Sequence, residues 1–132
     1  MPLTPAEEEV VAQWLRSARS DLAYAGLAPP PEGMYEQACF HAQQAAEKAL
    51  KGLLLSLGED PPFTHDIEAL VNMLREVTDA PDDLISAAVL SIYAVATRYP
   101  PFDSPLTEEK WQLATQTARR VVEWVEQQLH PE

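Results

Sequence analysis

The chain has 132 residues, 46% of them hydrophobic, which suits a single domain with one core over residues 1–132. The formal net charge is −12 with only nine Lys and Arg residues, and this balance argues against a broad face for nucleic acid. A single cysteine, a start without the features of a signal peptide and no bilayer-length apolar run predict a cytoplasmic protein that does not enter a membrane.

Proline divides the chain into helical blocks, because it removes a backbone donor and clashes inside a helix. The first block opens with Thr4 as a good N-cap, Pro5 at the first helical position and Glu7 to complete a capping box. The fifth follows Thr107, another good N-cap, and no block shows the alternation of a strand. The predicted helices span residues 5–26, 33–57, 64 or 65 to 77, 81–98 and 108–129.

The second predicted helix has two contrasting sides. One side is mostly small and apolar, so that a neighbouring helix can approach closely. The other is a polar stripe in which His41, Gln44, Lys48 and Lys51 follow each other at helical spacing. This stripe is either a solvated face, as on most amphipathic helices, or a positive pocket for an anionic ligand. The small side consists of Ala38, Ala42, Ala45, Ala46, Ala49, Leu50 and Leu53.

A second polar cluster opens the short third helix, at Thr64, His65 and Asp66. His65 and Asp66 could contact a ligand together with the stripe, or they could brace the start of a helix. His41 and His65 alone are too few ligands to hold zinc well. We therefore predict neither a metal site nor a cofactor.

The fourth predicted helix is nearly apolar all round from Leu84 to Ala96. Such a helix is central or lies at a subunit interface, and we expect both, with a homodimer as the result. At its end, Arg98 and Tyr99 could bind a phosphate through the planar guanidinium, or Arg98 could simply complement the helix dipole. The predicted fold is an all-α, antiparallel up-and-down bundle of four long helices and one short helix.

Several segments together resemble the HEPN domain family over roughly residues 5–128. The most distinctive is Gln43-Gln44-Ala45-Ala46-Glu47-Lys48-Ala49-Leu50-Lys51, in the second predicted helix. The pattern Trp14…Ala18…Asp21-Leu22…Ala25 lies before it, and Thr64-His65-Asp66-Ile67 and Tyr93…Thr97-Arg98-Tyr99-Pro100 follow it.

The resemblance implies a helical bundle that pairs as a dimer and often acts with a minimal nucleotidyltransferase as a toxin–antitoxin pair. The family was named for suspected nucleotide binding, so a nucleotide is a further expected partner. One branch consists of metal-independent ribonucleases with a histidine shortly after an arginine at the end of the fourth helix. Here Arg98 is followed at those positions by Asp103, Ser104 and Pro105, and no other arginine has the histidine.

Histidine is the natural proton carrier near neutral pH, so its absence argues against catalysis. We therefore predict no catalytic residue and a non-catalytic, homodimeric protein. The alternatives are a ribonuclease toxin, which the missing histidine disfavours, and a nucleotide-binding protein that acts alone. The candidate ligand residues are His41, Gln44, Lys48, Lys51, His65, Asp66, Arg98 and Tyr99.

Overall fold

The computed structural model describes residues 2–27, 35–94 and 106–131. All regular structure within these ranges is helical, as the sequence predicts. None of these helices combines the length and apolar character that a bilayer-spanning segment requires. The elements are α1 (Pro5–Ala25), α2 (Tyr35–Ser56), α3 (Ile67–Val77), the 3-10 helix η1 (Asp82–Ala94) and α4 (Glu108–Leu129).

Local capping fixes the starts of α1 and α4 where the sequence predicts them. The Thr4 hydroxyl accepts from the Glu7 amide at 3.1 Å, and the Thr4 amide donates to the Glu7 carboxylate at 2.9 Å. At α4, the Thr107 hydroxyl accepts from the Lys110 amide at 3.2 Å. Both arrangements satisfy backbone donors that a helix N-terminus otherwise leaves without partners.

The third helix begins two to three residues later than predicted, at Ile67. Its N-cap is Asp66, whose carboxylate accepts from the amides of Glu68 and Ala69. The Thr64 hydroxyl in turn accepts from the Asp66 amide at 3.0 Å, so the Thr64–Asp66 segment is a capped turn rather than helix.

The fourth predicted helix differs most from expectation, because residues 82–94 form a 3-10 helix instead of an α-helix. A 3-10 helix repeats every three residues, and Leu84, Ala87 and Leu90 accordingly face the core. Val89 and Ile92, three residues apart, share an exposed side. The predicted continuation through Arg98 lies outside the described residues.

The central position belongs to α2, which contacts α1, α3, η1 and α4. We expected the fourth helix at the centre, but only one side of η1 packs inward. The small-residue side of α2 is buried, with Ala38 the most exposed of its members at 8%. At Gly52 α1 approaches α2 closely, since a Cβ there would lie 2.7 Å from Leu15 Cδ2 and 3.0 Å from Trp14 Cβ.

Candidate functional site

The polar side chains of α2 lie along one continuous arc of the helix, which we call the polar arc. Its members fall within about 160° of the helix circumference at 100° per residue. One edge of the arc faces α1, and the other edge faces the segment that leads into α3. The polar arc consists of His41, Gln43, Gln44, Glu47, Lys48 and Lys51.

At the α1 edge, Asp21 joins two members of the polar arc. Its Oδ1 lies 2.8 Å from His41 Nδ1, and its Oδ2 accepts from Lys48 Nζ at 2.7 Å. Lys48 Nζ also donates to Ser17 Oγ at 2.8 Å. The His41 ring stacks on Tyr24 with centroids 5.3 Å apart. This edge therefore ties α1 to α2 through a nearly buried carboxylate.

At the opposite edge, the Glu47 carboxylate is the centre of a second cluster. Its Oε1 accepts from Gln43 Nε2 at 2.8 Å and lies 2.8 Å from His65 Nδ1. Its Oε2 accepts from Lys51 Nζ at 3.0 Å. Gln44 Nε2 donates to Gln43 Oε1 at 2.7 Å, which links the middle of the arc to this cluster.

Burial and hydrogen bonding act in opposite directions on the pKa of Glu47. Burial is the largest single influence and raises the pKa of the carboxyl. Hydrogen bonds from Gln43, His65 and Lys51, with the Lys51 charge, together outweigh it and lower the pKa below 4.5. The carboxylate is thus held in its charged form at neutral pH.

These contacts divide the predicted ligand residues into groups. His41 and Lys48 belong to the Asp21 cluster, while Lys51 and His65 belong to the Glu47 cluster, with Gln44 beside it. Asp66 caps α3, and its carboxylate is engaged by backbone amides. Arg98 and Tyr99 lie outside the described residues, so the structure does not relate them to the arc.

Each lysine of the polar arc has a carboxylate partner within 3.0 Å, which reduces the positive potential that the sequence suggested. The most accessible group is His65, whose side chain is 52% exposed while its Nδ1 lies against Glu47. The Lys51 side chain is only 10% exposed. A ligand at this surface would therefore contact the imidazole rings of His41 and His65 more readily than the ammonium groups of the two lysines.

Sequence reasoning did not select Asp21, Ser17 or Glu47 as site residues. A signal for Asp21 was present: it follows Ala18 by three residues and precedes Leu22 on the buried side of α1. An acidic residue at a buried position requires a partner, and the partner here comes from another helix.

Neither metal-ligand groups nor cavities among the described residues point to another site within the arc. The described ranges contain no group of three or more His, Cys, Asp or Glu side chains that could hold a metal ion. One cleft of ≈ 350 Å³ is lined mainly by α1, with Ser56, Leu129 and His130. A second, more open cleft lies between Arg19 and the C-terminal part of α4. No member of the polar arc lines either cleft.

Cys39 is fully buried on the packing side of α2. Burial, reinforced by the charge of Glu36, raises the pKa of its thiol to about 12. The protonated thiol is a poor nucleophile and a poor metal ligand, so Cys39 contributes packing rather than chemistry.

Comparison with known proteins identifies the fold and the family. The family model described as HEPN domain matches residues 11–128. The chain is 39% identical to TT1696 from Thermus thermophilus, over 89% of this chain and 96% of that one, with a TM-score of 0.76. It is 34% identical to ST0689, an archaeal HEPN homologue, over 89% and 96% of the two chains, with a TM-score of 0.72.

A HEPN domain protein from Thermotoga maritima shares the fold at 22% identity and a TM-score of 0.58, over 96% of this chain and 99% of that one. A search of the curated proteins finds no match. The family model covers most of the chain, and two solved structures exceed 30% identity across nearly all of it. The chain therefore belongs to the HEPN domain family.

Proposed function

We propose that this chain is a non-catalytic, homodimeric HEPN protein, a single domain that acts in the cytoplasm with a minimal nucleotidyltransferase as a toxin–antitoxin pair. The observation that carries the proposal is the exposed side of η1. Val89 and Ile92 there are 60% and 61% exposed. Residues 84–94 contain no charged side chain in a chain whose charge is −12. An uncharged apolar strip lets two acidic copies meet with little repulsion.

The first test is the oligomeric state. Light scattering after gel filtration at micromolar concentration should give the mass of a dimer for the wild type. The double variant Val89→Glu, Ile92→Glu should give a monomer, because it buries like charges against each other. Leu113→Glu is the matched control, since Leu113 is 60% exposed on α4. A monomeric wild type contradicts the homodimer.

The non-catalytic assignment rests on the sequence after Arg98, which lacks the histidine of the ribonuclease branch. Purified protein should leave structured RNA intact in the absence of metal. Cleavage that Arg98→Ala abolishes would replace this proposal with the ribonuclease alternative.

Nucleotide binding forms the second part of the proposal, on the polar arc. His41, Gln44, His65 and Asp66 are proposed to contact the base or sugar, and Arg98 and Tyr99 the phosphates. Lys48 and Lys51 are already paired with carboxylates. A nucleotide phosphate would have to replace these carboxylates as the partner of the ammonium groups, so we expect weak binding. Titration of ATP or GTP should give heat with the wild type and none with Lys48→Ala, Lys51→Ala. An absence of heat with both proteins would remove nucleotide from the proposal.

A further inference from the structure

Phe63, in the segment between α2 and α3, projects its ring entirely into solvent. Its relative exposure is 109%, whereas the other exposed large hydrophobic residues of the described ranges lie between 41% and 62%. Single exposed apolar residues are common on proteins, but most rest partly against their own surface. Full projection of an aromatic ring makes Phe63 the most prominent apolar feature of the described surface.

The chain before Phe63 is conformationally restricted. Gly58 adopts φ of +83°, a value that favours glycine, and it ends the run of α2 with a sharp turn. The Glu59 amide donates to the Leu54 carbonyl at 3.0 Å, which fixes the turn to the helix. Pro61 and Pro62 then lock two successive φ angles.

The chain after Phe63 is held equally firmly. The Thr64 amide donates to the Pro62 carbonyl at 2.9 Å, which closes a three-residue turn around Phe63 itself. The Thr64 hydroxyl accepts from the Asp66 amide, and His65 Nδ1 lies 2.8 Å from the buried Glu47 carboxylate. The ring is therefore presented by a backbone that has little conformational freedom left to lose on binding.

The chain segment that contains Phe63 is acidic. Residues 52–74 contain four carboxylates and no Lys or Arg. This charge disfavours a nucleic acid, a free nucleotide or an anionic lipid surface as the group that covers the ring. It favours a protein surface that presents Lys or Arg. The four carboxylates are Glu59, Asp60, Asp66 and Glu68.

We infer that Phe63 anchors this chain in an apolar pocket of a partner protein, and that the rim of this pocket carries Lys or Arg. The inference rests on the proposed function, which supplies the partner. A rigid aromatic ring entering a pocket is the usual form of a binding hot spot. The acidic residues near Phe63 in this chain steer the encounter and set its orientation, while burial of the ring determines how long the complex lasts.

Calorimetric titration against a minimal nucleotidyltransferase from the source organism, the partner that the proposed function names, tests the inference. Phe63→Ala should weaken binding by about 30-fold or more, as loss of a hot spot does. Val77→Ala is the matched control, since Val77 is a 41% exposed apolar residue on α3, and it should change the Kd by less than about 3-fold. Because the Phe63 ring is not buried, Phe63→Ala should leave the Tm unchanged.

A second variant separates the contribution of the acidic residues from that of the Phe63 ring. Asp60→Asn, Glu68→Gln should lower the association rate and flatten its dependence on salt, while the dissociation rate stays close to that of the wild type. An association rate that is insensitive to salt would overturn the inference that Lys or Arg surrounds the partner's pocket.

Three results distinguish this inference from the function on which it rests. A wild-type chain that does not bind the nucleotidyltransferase overturns both. Binding that Phe63→Ala changes by less than about 3-fold overturns the anchor alone and leaves the partnership intact. A Phe63→Ala variant that converts the homodimer to monomer assigns the ring to contact between two copies, and this also overturns the inference.

Discussion

Glu47 offers the sharpest test of how the polar arc contributes to stability. Its side chain is 5% exposed and accepts hydrogen bonds from groups on α2 and on the segment before α3. Glu47→Ala removes the acceptor of Lys51, whose side chain is 10% exposed, and leaves a nearly buried ammonium without its counter-charge. Gln43, which is fully buried, loses the closer of its two acceptors in the same change and keeps the His65 carbonyl at 3.4 Å.

The expected loss follows from these contacts. Removing one member of a buried ion pair costs about 3–5 kcal/mol, because the remaining charge stays desolvated. The long Lys51 side chain can extend toward water and recover part of this, so we expect about 3 kcal/mol for Glu47→Ala. Glu47→Gln also removes the counter-charge of Lys51, but it keeps the shape and one oxygen that can accept from Lys51, so it should cost less, about 2 kcal/mol.

Urea denaturation followed by circular dichroism measures these differences. For a chain of this length, a loss of about 3 kcal/mol corresponds to a fall in Tm of roughly 10 °C. Glu76→Ala, at an exposed glutamate on α3, is the control and should stay within about 0.5 kcal/mol of the wild type. The double variant Glu47→Gln, Lys51→Met should be less destabilised than the sum of its single changes, because it removes both charges of the pair.

A loss below about 1 kcal/mol for Glu47→Ala would refute the reasoning, since it would mean that Lys51 and Gln43 find water or other partners freely. Strict additivity in the double variant would refute the coupling of the two charges.

Three further predictions concern acid stability and backbone packing. The lowered pKa of Glu47 means that its contribution to stability is complete above pH 4.5 and is lost as the pH falls through the lower folded-state value. Urea midpoints at pH 7, 5 and 3.5 should therefore fall more steeply for the wild type than for Glu47→Gln below pH 4.5, and parallel curves would contradict this. Gly52→Val should destabilise the fold by about 2 kcal/mol or more, because α1 lies too close for a branched side chain, and an unchanged urea midpoint would show that α1 can move away. Gly58→Ala should cost about 1–2 kcal/mol in the same assay because of the positive φ, with Gly58→Asn costing less.

The pairing of the lysines changes what the polar arc can be expected to bind. In sequence, Lys48 and Lys51 suggest a positive patch in an acidic protein. In the structure, carboxylates from α1 and from α2 itself meet them at 2.7 and 3.0 Å. An anionic ligand must therefore compete with Asp21 and Glu47 for the lysines. The described surface accordingly favours protein contacts through η1 and Phe63 over tight binding of an anion.

Local chemistry alone determined the helices and much of their extent. The Thr4–Glu7 capping box and the Thr107 cap involve residues three positions apart, so their contacts form whenever the helix forms. The small-residue side of α2 could be predicted for the same reason, because helical periodicity places those alanines on one face. Spacing alone also predicted the stripe of His41, Gln44, Lys48 and Lys51, which is the larger part of the polar arc.

Tertiary structure decided how the polar arc is used and how the fourth helix winds. Asp21 lies 27 residues from Lys48, and His65 lies 18 from Glu47, so no local pattern contains either contact. Residues 84–94 are nearly apolar all round, so their hydrophobic pattern does not distinguish an α-helix from a 3-10 helix. The three-residue repeat becomes visible only in the folded structure, where Leu84, Ala87 and Leu90 are buried in the core. Contacts within one helical turn are encoded in spacing, whereas contacts between distant segments exist only once the chain has folded.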